Sequence, residues 1–227
     1  MKLIIFDLDQ TLVDLISIHD EAVNKLFRAL FGVEARLTDI DFAGRSLDDN
    51  FAELARLKSV PPDIFRNKKN SLIQDYDKFF AQSMPHNASR YILPGALKVL
   101  ERLLEANNIL ALYTGDSPAV VARVFQATGL GKYFKFCLYG TEIPVRSAMI
   151  RVAVQRAQEL TGRKFEGKNV VVIGDSIRDI EAGKQVNALT IVVATGFHSR
   201  EKLEAARPDY LFNNMEDKDA LLEAIGS

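Results

Sequence analysis

The chain opens with Leu3-Ile4-Ile5-Phe6-Asp7-Leu8-Asp9-Gln10-Thr11, an apolar run that ends in two acids separated by a single residue. An uninterrupted apolar run of this kind favours a strand that is covered on both faces, as in a parallel sheet. Similar runs recur along the chain and predict further strands, so that the full set is Leu3 to Leu8, Ile109 to Tyr113, Phe136 to Leu138, Val170 to Ile173 and Thr190 to Val193.

Apolar residues at helical spacing occupy the intervals between most of these strands. They predict helices over Ala96 to Ala106, Pro118 to Thr128 and Ser147 to Leu160. Parallel strands that alternate with helices form right-handed βαβ units. The predicted fold class is therefore α/β, with a Rossmann-like, doubly wound parallel sheet as the core.

One stretch, from Val13 to His86, breaks the alternation because it contains helical patterns and no convincing strand. We interpret it as an inserted α-helical cap domain, with Ser83 to Pro94 as the linker back to the sheet. The predicted helices are Ile18 to Phe31, Leu47 to Leu57, and a third, kinked or split, from Pro61-Pro62 to about Phe80. The predicted domains are a core of residues 1–14 and 89–227 and a cap of residues 15–88.

Composition narrows the choice of partners and location. The 227 residues carry a formal net charge of -1, which gives no electrostatic reason to bind nucleic acid or an anionic membrane surface. A small solute or a protein is the more consistent partner, and we expect a monomer or a weak homodimer. The N-terminus lacks the apolar core of a signal peptide, and no apolar run is long enough to span a membrane, so we expect a cytoplasmic protein.

Asp7 and Asp9 follow the first predicted strand, at the edge where open α/β sheets bind ligands. As a carboxylate, Asp7 could attack phosphorus and form an aspartyl-phosphate. Asp9 in its protonated form could give a proton to the leaving oxygen and later take one from water. The alternative is a pair of solvated acids in a turn, and the spacing of two acids alone does not decide between them.

A second acidic cluster, Gly174-Asp175-Ser176-Ile177-Arg178-Asp179, follows the predicted strand Val170 to Ile173. Asp175 lies at the same sheet edge as Asp7, and Asp179 comes one helical turn later. Carboxylate oxygens from two neighbouring strand ends suit Mg²⁺. In the alternative interpretation, Asp175 caps the following helix and Asp179 is solvated in its first turn.

The strand that ends in Tyr113-Thr114-Gly115-Asp116 supplies a candidate phosphate site. Thr114 offers a hydroxyl, Gly115 lets the backbone approach closely, and the helix that opens at Ser117-Pro118 presents free N–H groups. Helix capping alone explains Ser117 and Pro118 but does not require Thr114.

A fixed positive charge is also needed, to offset phosphate oxygens and orient the nucleophile. Arg146 lies at the start of the helix that leads into the strand before Asp175, so we favour it. Lys164 and Lys168 fall just before the opposite, amino end of that strand. A solvated surface arginine is the alternative.

In this order the motifs resemble those of the haloacid dehalogenase superfamily of aspartate-nucleophile phosphohydrolases, in the branch with a helical cap inserted after the first motif. The resemblance covers essentially the whole chain. Its motifs are D-x-D-x-T at 7–11, Asp14, Thr114, a basic residue at 146, G-D-x-x-x-D at 174–179, and Pro208-Asp209-Tyr210.

The resemblance implies catalytic roles for the matching residues. Asp7 would be the nucleophile and Asp9 the acid and base. Thr114 would bind phosphate, and Arg146 would bridge nucleophile and phosphate. Gln10 departs from the usual glycine, and Arg146 stands where lysine is commoner, a difference that matters because a planar fork cannot replace a point charge without moving its neighbours.

The same resemblance implies a magnesium cofactor. Asp7, Asp175 and the backbone carbonyl of Asp9 would bind Mg²⁺, with Asp179 as a supporting acid. In the cap, Arg45 in a break between helices could bind a carboxylate or second phosphate, and His19 could face the cleft, although a solvated arginine and a histidine packed in the cap are the alternatives.

The expected activity is hydrolysis of a small phosphorylated metabolite, a phosphomonoester, through an aspartyl-phosphate. Dehalogenation is disfavoured because relatives with that activity lack the acid found here at Asp9. Phosphonate hydrolysis, which in the family depends on a cap lysine that forms a Schiff base, is also disfavoured, because no sequence around Lys25 or Lys58 marks a reactive amine. Two alternatives stay open. One is a phosphomutase resembling β-phosphoglucomutase, and the other is a catalytically silent binding protein of the same fold.

Overall fold

Six short strands form one parallel sheet in the computed structural model, which describes residues 1–226. The strands are β1 (Leu3–Phe6), β2 (Ile109–Thr114), β3 (Phe136–Tyr139), β4 (Val170–Gly174), β5 (Leu189–Val193) and β6 (Tyr210–Phe212). Their order across the sheet is β3-β2-β1-β4-β5-β6. The predicted fold class and all the predicted strands are confirmed, whereas β6 is too short to give a pattern in the sequence. The last residue of the predicted core range, 227, lies outside the described residues.

The helices follow the predicted alternation with the strands. They are α1 (Ile16–Phe31), α2 (Leu47–Leu57), α3 (Pro62–Ser83), α4 (Ala96–Glu105), α5 (Pro118–Thr128), α6 (Arg146–Thr161), α7 (Ile177–Gln185), α8 (Arg200–Ala205) and α9 (Lys218–Ile225). The third predicted helix of the insertion is one continuous helix, α3, because Pro61 is its N-cap and Pro62 its first residue, positions that tolerate proline.

Both faces of the sheet are buried, which explains the uninterrupted apolar runs. Alternate residues of β1 point to opposite faces, so Ile4 and Phe6 join one hydrophobic cluster while Leu3 and Ile5 join another. The first cluster includes residues of α4, α5 and α9, and the second includes residues of α6 and α7. Helices on both faces are the mark of a doubly wound sheet.

The strand register brings three chain segments together at one edge. In β1, Phe6 pairs with Leu112 of β2 and with Ile173 of β4. The residues that follow these positions therefore leave the sheet side by side. Strand order reverses between β1 and β4, which is the point where open α/β sheets form a ligand crevice.

Residues 15–88, which contain α1, α2 and α3 and are called the helical segment below, lie between β1 and β2 in the chain. Aromatic rings fill the interior of this segment; the ring centroids of Phe51 and Tyr76 lie 5.1 Å apart. Its apolar residues belong to the same hydrophobic cluster as Ile4 and Phe6 of β1. No helix among residues 1–226 is both long and apolar enough to cross a membrane.

Candidate active site

A cavity of about 60 Å³ lies at the carboxyl edge of the sheet, between the strand ends and the helical segment. Both parts of the chain contribute to its wall. Of the residues that the sequence singles out, those that line it are Asp7, Asp9, His19, Arg45, Thr114, Gly115, Arg146 and Asp175. The register of β1, β2 and β4 explains this convergence.

Asp7 leaves β1 with its backbone N–H bonded to the carbonyl of Ile173, 2.9 Å away. Its carboxylate is buried, and Oδ1 accepts a hydrogen bond from Nη2 of Arg146 at 3.1 Å. Burial raises the pKa of Asp7 to about 7, and the positive charge of Arg146 opposes that rise while Asp179 and Asp9 add to it. Arg146 therefore favours the ionised form that a nucleophile needs.

Arg146 is the first residue of α6 and is itself buried. In addition to Asp7, it donates from Nη1 to Oδ1 of Asp179 at 2.5 Å and from Nε to the carbonyl of Gly44 at 2.7 Å. The guanidinium lies 4.6 Å from the ring centroid of Tyr113. A planar group with this many fixed partners has one orientation, and lysine could not reproduce it.

Lys164 and Lys168 lie away from this arrangement. Lys164 forms an ion pair with Glu166, and Lys168 forms one with Asp209, just before the amino end of β4. Neither lysine lines the cavity. Among the cations that the sequence offered as partners for the nucleophile, only Arg146 contacts Asp7 in the part of the chain that the structure describes.

Asp179 holds Arg146 in place. Its Oδ1 accepts from Arg146 and, at 2.5 Å, from the hydroxyl of Tyr113, while Oδ2 accepts from the backbone N–H and the hydroxyl of Ser176. Ser176 in turn caps α7, so the acid belongs to a capping box rather than being solvated. Both oxygens of Asp179 thus have donors already, which suits a supporting acid better than a direct ligand.

Asp7, Asp175 and Asp179 each have a carboxylate oxygen within 4.8 Å of the others. Burial first, and then the charges of Asp7 and Asp179, raise the pKa of Asp175 well above its ordinary value. The site also has no room for another side chain, because a Cβ on Gly196 would lie 1.7 Å from Oδ2 of Asp175. Buried acids this close, with hard oxygen donors, fit a divalent cation such as Mg²⁺.

Asp9 connects the sheet edge to the helical segment. Its Oδ2 lies 3.2 Å from Nε2 of His19 on α1, and Nδ1 of His19 lies 2.5 Å from the hydroxyl of Tyr76 on α3. Burial alone would lower the pKa of His19, but the carboxylates of Asp9 and Asp116 raise it to about 9. The imidazolium therefore donates to Asp9 from one nitrogen and to Tyr76 from the other.

Asp116 is a second acid beside Asp9 that sequence reasoning did not assign. Burial raises its pKa to about 8; His19 opposes that rise, and the charge of Asp9 adds to it. Its Oδ2 accepts from the hydroxyl of Thr114 at 3.2 Å, and its backbone N–H donates to that hydroxyl. The signal in the sequence was its position at the end of Tyr113-Thr114-Gly115-Asp116, two residues after Thr114.

Gly115 and Gly44 allow the helical segment to approach the sheet. A Cβ on Gly115 would lie 2.0 Å from the carbonyl oxygen of Arg45. The lack of a side chain at Gly115 therefore lets the backbone of the helical segment pack against the end of β2. Gly44 has a φ of 71°, and a Cβ there would lie 2.6 Å from the hydroxyl oxygen of Ser176. Arg178 adds an ion pair to Asp41 at 3.0 Å.

Arg45 lines the cavity, but its guanidinium is turned to Glu53. Both Nη atoms lie 3.3 Å from Oε2 of Glu53 on α2. The prediction that Arg45 binds a second anionic group stays a prediction. In this arrangement Glu53 already balances its charge.

Gln10, which stands where the family usually has glycine, adopts a left-handed φ of 59°. This conformation costs a residue with a side chain about 1–2 kcal/mol. Its carbonyl accepts from the hydroxyl of Thr195, and its side-chain amide donates to Asp14 at 2.7 Å. These contacts hold the turn in the conformation that glycine would adopt without strain.

Sequence reasoning did not identify Tyr76, Tyr113 or Asn50 as functional residues. Tyr113 directly precedes Thr114, and its place at a strand end was a usable signal. Tyr76 and Asn50 lie on helices of the insertion, where a helical pattern does not show which residues face the sheet edge. Asn50 is 4% exposed, and its Oδ1 has no hydrogen-bond donor among the described residues.

Comparison with known proteins identifies the family of this chain. A family model for haloacid dehalogenase-like hydrolases matches residues 1–187. The chain is 27% identical over 231 residues to the phosphoglycolate phosphatase of Vibrio parahaemolyticus, with 99% of this chain and 96% of that protein covered. It is 25% identical to the pyrophosphatase PpaX of Listeria innocua, with 96% and 95% covered.

Several solved structures share the fold of this chain. A β-phosphoglucomutase from Clostridium difficile aligns with a TM-score of 0.80 at 17% identity, over 100% of this chain and 97% of that one. A predicted phosphoglycolate phosphatase from Haemophilus somnus aligns with a TM-score of 0.78 at 19% identity, over 97% of each chain. At these identities the likeness establishes the fold. Because the family model spans most of the chain, this protein belongs to the haloacid dehalogenase-like hydrolase family, as its motifs predict.

Proposed function

We propose that the protein is a Mg²⁺-dependent phosphatase that hydrolyses a small phosphomonoester of the cytoplasm through an aspartyl-phosphate on Asp7. The observation that carries this proposal is the buried contact between Arg146 and Oδ1 of Asp7, next to a second acid, Asp9, that lines the same cavity. A carboxylate with a fixed cation can attack phosphorus, and a nearby acid can serve the leaving oxygen.

In the first step, an oxygen of Asp7 attacks the phosphorus atom of the ester, and the bond to the leaving oxygen breaks. Arg146 supports this step because it holds Asp7 at a fixed orientation and offsets the negative charge of the phosphoryl oxygens. The hydroxyl of Thr114, at the end of β2, donates to Asp116 in this structure, and we assign it to one of those oxygens once the substrate is bound and the hydroxyl has rotated.

Asp9 gives a proton to the leaving oxygen in the first step, and the source of this proton is the imidazolium of His19, which is bonded to the carboxyl of Asp9. In the second step it takes a proton from water, whose oxygen attacks phosphorus and releases phosphate from Asp7. The bond to His19 holds the carboxyl of Asp9 in one rotamer. Relatives named as phosphoglycolate phosphatase and as pyrophosphatase support a reaction at phosphorus, with a leaving group that needs a proton.

We assign Mg²⁺ to the carboxylates of Asp7 and Asp175 and to the backbone carbonyl of Asp9, with Asp179 as the supporting acid that orients Arg146. The ion would offset the repulsion between buried carboxylates and the charge of the substrate phosphate.

We assign the helical segment, residues 15–88, as a cap over the site. Gly44, Arg45 and His19 contribute to the cavity wall from this segment. The cavity of about 60 Å³ has walls from both parts, and we propose that movement of the segment away from the strand ends widens it for the substrate. Closure would then exclude bulk water from the reacting groups.

Substitution of the nucleophile tests the proposal. Asp7→Asn should abolish phosphate release from p-nitrophenyl phosphate and from a panel of phosphorylated metabolites with Mg²⁺, because an amide does not attack phosphorus. Asp63→Asn is the control, since Asp63 is exposed in the first turn of α3 and does not line the cavity, and this variant should keep near-wild-type rates. Wild-type rates in Asp7→Asn would refute the proposal.

The same assay separates the alternative reactions. If β-glucose 1-phosphate with a bisphosphate primer yielded glucose 6-phosphate instead of free phosphate, the enzyme would be a phosphomutase. If no ester in the panel released phosphate, the protein would be a binding protein of this fold.

A further inference from the structure

Asn50, on α2, carries a buried hydrogen-bond acceptor without a donor. The residue is 4% exposed and lines the cavity that contains Asp7 and Asp9. Its Nδ2 donates to the carbonyl of Phe42 at 3.5 Å, and its Oδ1 has no partner among residues 1–226. Buried polar atoms are nearly always hydrogen-bonded in folded proteins, so an orphaned atom in a binding cavity points to a ligand.

The orientation of the amide follows from its neighbour. The carbonyl oxygen of Phe42 can only accept, so the contact at 3.5 Å favours the orientation in which the amide group of Asn50 presents its nitrogen to it. The rotated alternative would place two acceptors against each other. Oδ1 is therefore left to accept from something outside the protein, and an acceptor of this kind selects an O–H or N–H group.

The charges around the cavity argue against an anionic leaving group. Its cationic residues are each already paired. Arg45 with Glu53, Arg146 with Asp7 and Asp179, and His19 with Asp9 form ion pairs. Apolar side chains complete the wall on the side of the helical segment: Ile16, Leu37, Phe42 and Leu47. A carboxylate placed there would find carboxyl groups and apolar surface, with no unpaired cation among the residues that line the cavity.

We propose that Asn50 selects phosphomonoesters whose leaving group carries a neutral hydroxyl, such as small polyol phosphates, by accepting a hydrogen bond from that hydroxyl at Oδ1. Esters with an apolar leaving group leave Oδ1 unpaired, and esters with a carboxylate meet the acids of the site. This inference rests on the phosphatase function proposed above and specifies its substrate class. It also predicts that this enzyme does not prefer phosphoglycolate, because phosphoglycolate carries a carboxylate.

Three esters of similar size test the proposal on the wild-type enzyme. With Mg²⁺, kcat/KM for sn-glycerol 3-phosphate should exceed kcat/KM for n-propyl phosphate by about tenfold or more, because a site with a buried acceptor rejects the analogue that lacks the donor. 2-Phosphoglycolate should also be a poorer substrate than sn-glycerol 3-phosphate. Equal values for the first two esters, or a preference for 2-phosphoglycolate, would overturn the proposal.

The variant Asn50→Leu replaces the amide with an apolar group of similar volume. The ratio of kcat/KM between sn-glycerol 3-phosphate and n-propyl phosphate should fall to within about threefold of unity. Asn70→Leu, at an exposed position of α3, is the matched control and should keep the wild-type ratio. A wild-type ratio in Asn50→Leu would overturn the role of Asn50.

A thermal unfolding transition in each variant shows that the chain is folded, and the wild-type comparison decides the substrate class even if Asn50→Leu does not fold. The two proposals fail differently. If p-nitrophenyl phosphate is hydrolysed and the hydroxyl gives no advantage, only the inference on Asn50 fails. If no ester, including p-nitrophenyl phosphate, releases phosphate, the proposed function fails and the inference fails with it.

Discussion

Two groups of acids lie near each other at the carboxyl edge of the sheet, and they are stabilised in different ways. The Asp7 cluster, made of Asp7, Asp175 and Asp179, is balanced by Arg146. The Asp9 cluster, made of Asp9 and Asp116, is balanced by the histidine His19. A permanently charged guanidinium favours ionised carboxylates, whereas a histidine beside two acids leaves room for a shared proton. The difference matches the proposed division between attack and proton transfer.

The two clusters also differ in which parts of the chain build them. The side chains of the Asp7 cluster and Arg146 all come from segments that adjoin the sheet, and only the carbonyl of Gly44 reaches Arg146 from the helical segment. The Asp9 cluster depends on His19 and Tyr76 from α1 and α3. Movement of the helical segment would therefore disturb the Asp9 cluster more than the Asp7 cluster.

The largest effect in this comparison is expected from the Asp7 cluster. Arg146→Met should lower kcat/KM for p-nitrophenyl phosphate by about 10²–10³-fold, because one preorganised charge-stabilising group is lost and Asp7 is no longer held. Arg146→Lys should restore part of the rate, since it keeps the charge but loses the planar fork. Phosphate release with Mg²⁺ measures both variants.

Arg151→Met, on the exposed side of α6, is the control and should have near-wild-type kcat/KM. A loss below threefold in Arg146→Met would show that Arg146 has no part in the reaction.

A smaller and more selective effect is expected from the Asp9 cluster. His19→Gln should lower kcat/KM for an alkyl phosphate by about 10²-fold, because the proton donor loses its fixed orientation. The loss for p-nitrophenyl phosphate should be much smaller, since nitrophenolate leaves with little help from a proton. Steady-state kinetics on both esters give the ratio.

His86→Gln, at an exposed position, provides the matched control for this substitution. An equal loss on the two esters would mean that His19 supports the fold or binding and does not act through Asp9.

The two clusters also differ in how far the sequence predicts them. The fold and the Asp7 cluster follow from local patterns, because apolar strands have to end at one edge. Asp7 and Asp175 follow β1 and β4 directly, and Thr114 is the last residue of β2. Arg146 is predicted by its place at the start of the helix that leads into β4. These inferences need only the register of a parallel sheet.

The helical segment is predicted less completely, for a physical reason. Periodicity identifies α1, α2 and α3 but not the angle at which they lie on the sheet edge. The sequence therefore offers His19 as a candidate cleft residue but does not show that it contacts Asp9 and Tyr76. No sequence pattern marks Tyr76 or Asn50 as residues of the site. The pairing of Arg45 with Glu53 depends on side-chain rotamers, which a sequence pattern does not specify.

The smallest effect is expected in stability. The folded pKa of Asp7 is raised from 3.8 to about 7, so the metal-free folded state binds more protons than the unfolded state between these values, and the free energy of unfolding falls as pH rises. His19, raised from 6.5 to about 9, acts in the same direction at higher pH, because its contribution is lost as pH rises through about 9.

Mg²⁺ competes with protons for Asp7. It should therefore raise Tm by a few degrees at about pH 8 and by less at about pH 5, as measured by differential scanning calorimetry. The same increase at both pH values, or an unchanged increase in Asp7→Asn, would argue against a metal site at Asp7.

Chemical trapping of the intermediate tests the central claim most directly. Enzyme and p-nitrophenyl phosphate are mixed with Mg²⁺, quenched in acid within one turnover, digested with pepsin at acid pH and examined by mass spectrometry. One phosphoryl group should appear on the peptide that contains Asp7, fragment ions should assign it to Asp7, and Asp7→Asn should carry none. Phosphate release with no phosphoryl group on Asp7, or with the group on another residue, would contradict the mechanism.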